Sequence, residues 1–159
     1  MNDVYKIGII SDTRLVSPDQ ELPGKIAEVF AGVDLIIHAG NICKEFVLEE
    51  LEKIAPVEAV LGSLDDLVDF SRELPTSKIL DTNGFKIGIY NQRPDLESLA
   101  SERINILVSG NTCVPKILES ETVPLMLDPG SPMVPSKHGR GTVILLKIDK
   151  LVFSYVLKV

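Results

Sequence analysis

The residues of this chain that could do chemistry gather in five short polar clusters. They read Ser11-Asp12-Thr13-Arg14, His38-Ala39-Gly40-Asn41, Gly62-Ser63-Leu64-Asp65, Asn91-Gln92-Arg93 and Ser109-Gly110-Asn111-Thr112-Cys113. Each follows an apolar run, and in open α/β sheets ligands bind beyond the carboxyl ends of the strands, so five such clusters predict a convergent site. Guanidinium groups bind phosphate and carboxylate through paired hydrogen bonds, which makes Arg14 and Arg93 candidate anion ligands. The stretch Pro135-Ser136-Lys137-His138-Gly139-Arg140-Gly141 is basic and Gly-rich and reads as a connector. The plainer reading pairs Asp12 with Arg14 or Arg93 as an internal ion pair. His38 reads as a structural histidine at a strand end, and His138 as part of a solvated connector.

Other chemistries find little support. Cys113 could bind a soft metal as thiolate, but a zinc site needs three or four such ligands. As a nucleophile it lacks an evident base, because His38 and His138 are the only histidines. There is no G-x-G-x-x-G, Walker loop, H-E-x-x-H or nucleophile elbow. Whether Cys43 and Cys113 approach each other is left open by spacing alone.

The elements that must position these clusters can be read from periodicity. Short apolar runs at Tyr5–Ile10, 34–38 and 57–61 alternate with helix-period stretches at 22–31 and 44–55, which predicts parallel strands joined by crossover helices. Ile26, Val29 and Phe30 share one face of the first helix, and Val47, Leu48, Leu51 and Ile54 one face of the second. Asn83-Gly84 between Ser77–Thr82 and Phe85–Tyr90 predicts a two-residue hairpin, whose central positions need positive φ. Further strands are expected at 104–109 and 123–127, with a closing hairpin of 143–148 and 152–157. The fold class expected is α/β: two packed mixed sheets with helices outside, forming one domain over residues 1–159.

Composition narrows the function classes. At 159 residues, 45% hydrophobic and 25% charged, the chain can bury a core without disulfides or a structural metal. Its net charge of −7 opposes a phosphate backbone, so nucleic acid is not an expected partner. No apolar run approaches the roughly 20 residues that cross a bilayer. Two cysteines and an N-terminus without a leader pattern point to the cytoplasm.

The ordered set S-D-T-R, H-A-G-N-I, G-S-L-D, N-Q-R, S-G-N-T-C-V-P and D-P-G-S-P resembles the calcineurin-like metallophosphoesterases, closest to their small prokaryotic phosphodiesterase branch. That branch reads S-D-T-H, H-A-G-D-I, G-N-x-D, H-G-H, G-H-T-H-x-P and N-P-G-S. The resemblance covers essentially the whole chain and implies a four-layer αββα sandwich. It also implies that seven residues would bind two divalent metals, and it places them at Asp12, Arg14, Asn41, Ser63, Asn91, Asn111 and Cys113. Only Asp12 keeps the family's residue, and the second His of H-G-H becomes Arg93. Arg14 has no lone pair to give and sets a positive charge where a cation would sit, while Asn41 removes the bridging carboxylate.

The resemblance therefore implies a vestigial site at these positions together with Asp65, with no metal cofactor expected, and, because the family places a similar loop near its substrate, Lys137 and Arg140 as further anion contacts. The leading expectation is a binding or assembly module that has lost hydrolysis, as the retromer subunit of this fold is adapted to protein interaction. Its partner would be a protein, a second copy through a sheet edge or helix face, or a small anion such as phosphate. The alternatives are a weak or altered phosphodiesterase using Asp12, Asp65 and the arginines, and a phosphate or nucleotide sensor built on Arg14 and Arg93. An active form would use a divalent ion such as Mn, Ni or Zn.

Overall fold

A computed structural model describes residues 3–134 and 141–159. In chain order the elements are β1 (Tyr5–Ile10), α1 (Lys25–Val29), β2 (Leu35–His38), α2 (Phe46–Glu52), β3 (Val57–Ala59), β4 (Ser77–Thr82), β5 (Phe85–Tyr90), β6 (Ile106–Ser109), β7 (Pro115–Leu118), β8 (Leu125–Pro129), β9 (Thr142–Ile148) and β10 (Val152–Lys158). They build two five-stranded mixed sheets, ordered β10-β9-β1-β2-β3 and β4-β5-β6-β8-β7. The first runs parallel through β1, β2 and β3 and antiparallel through β9 and β10. The second has a parallel β5-β6-β8 centre with antiparallel β4 and β7 at its edges.

The sheets pack face to face through Ile7, Ile9, Ile37, Ile87, Ile89, Ile106, Val108, Leu127, Ile144 and Leu146. β-Branched side chains suit this pleated interior, and each buried Ile contributes about 1.5–3 kcal/mol by its removal from water. The outer face of the first sheet is covered by both helices, where Ile26, Phe30, Val47, Leu48 and Leu51 pack on Ile10, Ile36 and Val143. Gly8 allows this close approach: a Cβ there would stand 2.8 Å from the Phe30 ring. The second sheet's outer face carries a thinner layer, the 3-10 turn Glu97–Glu102, with Leu99 against Ile104, Leu107, Val123 and Met126. The four-layer expectation is met with a 3-10 turn, not an α-helix, as the fourth layer.

Several elements are shorter than their periodicity predicts, for local reasons. α1 begins after Pro23 and Gly24, and Gly32 at φ 75° closes the following turn. β6 starts two residues late because Arg103 is left-handed (φ 54°) and the Asn105 side chain accepts the Lys86 N–H. β8 is displaced toward its C-terminus because Ser120 Oγ takes both backbone groups of Val123. β7 is an additional edge strand that the sequence pattern does not announce.

Candidate functional site

The five polar clusters do converge, at the carboxyl ends of β1, β2, β5 and β6 and the loop after β3. Their centre is Asp12, fully buried. Its Oδ1 accepts a hydrogen bond from Asn41 Nδ2 at 2.8 Å and lies 3.6 Å from Arg14 Nη2, while its Oδ2 accepts the Cys113 N–H at 3.3 Å. The Asn41 amide ties three segments together. Its Nδ2 also reaches Asn111 Oδ1 at 3.1 Å, and its Oδ1 accepts the Leu64 N–H at 3.0 Å. Ser63 Oγ donates to the same Asn111 oxygen at 3.4 Å, and Asn91 accepts the Ser63 N–H while donating to the Ala39 carbonyl. Each neutral group is thus held by its neighbours, as a buried polar network requires.

Backbone strain collects at the same place. Asp12, Arg14, Asn41, Cys43, Asn111 and Cys113 all have φ between 51° and 75°. This left-handed region is natural for Asn but uncommon for Arg or Cys, and such strain clusters at functional sites. Gly110 completes the crossing of β1 and β6, since a Cβ there would lie 2.0 Å from Ser11 Oγ.

Asp65, a candidate for charge stabilisation, is engaged otherwise. Its Oδ2 accepts the N–H groups of Asn41 and Gly62, and its Oδ1 that of Cys43, so it clamps two loops. His38 is structural, as its strand-end position implies. The Gly40 N–H donates to Nδ1 at 3.1 Å, so the proton sits on Nε2, 3.0 Å from Thr13 Oγ1, which in turn donates to the Ile42 carbonyl. Burial lowers its pKa from 6.5 to about 3, and the ring stays neutral. Cys43 and Cys113 are free thiols whose pKa values are raised, first by burial and then by Asp65 and Asp12 respectively. Neither is disposed to be a thiolate.

The predicted cationic residues separate. Arg14 stays beside Asp12, its side chain about a third exposed, with Nε buried and without a hydrogen-bond partner. Arg93 is exposed and lines a different space, a cavity of about 460 Å³ that also includes Gln92, Asn111, Thr112, Lys116 and Asp128. Lys137, Arg140 and His138 lie outside the described residues. Among the described residues no three of His, Cys, Asp and Glu come together as a metal-holding group.

Sequence reasoning passed over Ser131, which donates from Oγ to the Asp12 carbonyl at 2.8 Å and accepts the N–H groups of Met133 and Val134. Its signal was the D-P-G-S-P motif, which carries no side chain of obvious catalytic type. Thr112 and Asp128, bonded at 2.7 Å, were likewise unassigned.

Known proteins bear on this arrangement. A profile of the calcineurin-like phosphoesterase superfamily domain matches residues 5–151. A probable metallophosphoesterase of Methanothermobacter thermautotrophicus is 35% identical over 90% of this chain and 86% of its own length. One from Methanocaldococcus jannaschii is 37% identical over 91% of this chain and 77% of its own. Among solved structures, Vacuolar Protein Sorting 29 from Cryptosporidium parvum superposes with a TM-score of 0.82 at 23% identity, covering 98% of this chain and 92% of that one. Chaetomium thermophilum Vps29, solved with a cyclic peptide, gives 0.70 at 15% identity over 98% and 96%. The chain belongs to the calcineurin-like phosphoesterase superfamily.

Proposed function

We propose that this protein keeps the phosphoesterase scaffold as a binding or assembly module and does not carry out two-metal hydrolysis. The observation that carries the reading is the Asp12 carboxylate, fully buried and already occupied by the Asn41 amide, Arg14 and the Cys113 N–H. Two cations held a few Å apart need bridging anionic oxygen, and at Asn41 the available group is a neutral amide that donates to Asp12. Arg14 adds a fixed positive charge to the same space. The residues present therefore do not fit a two-cation cluster. A weak phosphodiesterase using Asp65 would have one lone pair, on Oδ1, left for it, because three backbone N–H groups hold the rest.

A protein partner suits the reading, since a Vps29 of the same fold holds a cyclic peptide. An anion-sensing role draws support from one feature, the buried Arg14 Nε without a partner. The decisive experiment is elemental analysis of protein purified without chelator, together with hydrolysis of a chromogenic phosphodiester. The expected result is substoichiometric Mn, Fe, Ni and Zn and no EDTA-sensitive turnover. Two bound equivalents with metal-dependent turnover would overturn the proposal.

A further inference from the structure

The 3-10 turn leaves part of the second sheet's outer face uncovered near the carboxyl ends of its strands, and the cavity of about 460 Å³ lies there. Its volume is in the range that takes small organic molecules. Lys116 stands opposite Asp128 and Leu118 opposite Met126 in the β7–β8 pairing, so all four share one face. Met126 packs with Leu107 and Leu99, which identifies that face as the outer one, away from the core between the sheets. The cavity is thus distinct from the Asp12 network and shares only Asn111 with the polar residues that compose it.

The lining has a definite chemistry. Arg93 and Lys116 are exposed cations, and neither forms an ion pair or side-chain hydrogen bond among the described residues. Asn111 uses its Oδ1 on Asn41 and Ser63, while its Nδ2 donates to no described group. Three donor groups therefore line one space without acceptors. Asp128 is fixed by Thr112 Oγ1 on one oxygen and the Gly130 N–H on the other, leaving a lone pair on each for a hydroxyl donor. Leu118 and Met126, on the outer face, supply an apolar wall.

We propose that this cavity binds a small phosphorylated, hydroxylated organic anion, its phosphate held by Arg93, Lys116 and Asn111 Nδ2 and its hydroxylated body by Asp128 and the apolar wall. Arg supplies paired hydrogen bonds to phosphate oxygens and Lys a point charge. Burial raises the pKa of Asp128 above the ordinary carboxylate value, which tempers its repulsion of an anion nearby. The site does not depend on whether the Asp12 network hydrolyses anything.

The test is an amide NMR titration of the full chain in EDTA, with glucose 6-phosphate, inorganic phosphate and glucose as separate probes. Glucose 6-phosphate is expected to give saturable shifts at residues 92–93, 109–112, 116 and 128, with weaker binding of phosphate and none of glucose. Arg93→Ala and Lys116→Ala should each weaken binding about tenfold, the loss of one charged hydrogen bond. Lys25→Ala, on α1, should leave it unchanged. The proposal is overturned by absent saturation, by shifts that survive the Arg93→Ala/Lys116→Ala double substitution, or by equal affinity for phosphate and sugar phosphate. Binding that requires a divalent ion would overturn it as well and would count against the metal-free reading. Absent binding in a metal-free protein would overturn this inference alone.

Discussion

Asn41 shows how one neutral side chain reorganises a site. Its amide presents an N–H to Asp12 and an oxygen to the Leu64 N–H, a pattern that a carboxylate cannot reproduce because it has no donor. Asn41→Asp would set a second negative oxygen near the 2.8 Å donor position beside Asp12, with Arg14 offsetting part of the repulsion. The new carboxyl would have a folded pKa above its unfolded value of about 3.9. It therefore destabilises at neutral pH, and the deficit closes as pH falls through the raised pKa. Urea unfolding should show a loss of about 2 kcal/mol against the parent at neutral pH, shrinking near pH 5. An equal deficit at both pH values would contradict the account. His38 supplies a second test. Its folded pKa, lowered by burial to about 3, lies below the ordinary 6.5, so the unfolded chain binds a proton that the native ring refuses. Its contribution is complete above the unfolded pKa and is lost as pH falls from 6.5 toward 3. The parent should lose about 2 kcal/mol between neutral pH and pH 5 from this group, and His38→Gln should flatten that part of the profile.

At the scale of elements, the site depends on how closely strand ends can cross. Gly110 follows β6 where β1 ends, and Ala there would drive its Cβ toward Ser11 Oγ, 2.0 Å from the ideal position, and the Ala39 carbonyl at 3.2 Å. Gly110→Ala should cost about 1–3 kcal/mol, and chemical denaturation should show a lower midpoint with an unchanged slope. An unchanged midpoint would mean that the crossing is looser than the geometry indicates. The convergence was legible because β1, β2, β5 and β6 are apolar runs that end abruptly in polar residues, and because Asn83-Gly84 fixes the hairpin without tertiary help. β7 was not legible: Pro115 opens it, only four residues follow the pairing, and three of them are exposed, so no alternation survives. Its absence from the sequence reading hid Lys116, which comes to face Asp128 only through β7–β8 pairing. Arg93 was legible as a cation but not in its direction, since its separation from Arg14 follows from the cavity on the outer face.

For the whole molecule, the proposed replacement of metal by an internal network predicts a thermodynamic signature that separates scaffold from enzyme. An ion that binds the native state alone stabilises it by mass action, about 2.7 kcal/mol when its concentration is a hundred times its dissociation constant. A calcineurin-like fold that relied on two cations would lose stability with EDTA and regain it with Mn or Zn. Here the strand ends are joined by Asp12, Asn41, Asn111, Ser63 and Asn91, and by the Asp65 clamp that holds the loops after β2 and β3. The sheets beneath are packed by aliphatic side chains whose burial is indifferent to metal. The melting temperature should therefore be the same with and without EDTA, and micromolar Mn or Zn should leave it unmoved. Zinc taken up by the half-buried thiols would mimic such an effect, so Cys43→Ser and Cys113→Ser serve as the control pair. A rise with Mn that Asp12→Ala abolishes would mean that the network opens to admit a cation and that the scaffold reading fails.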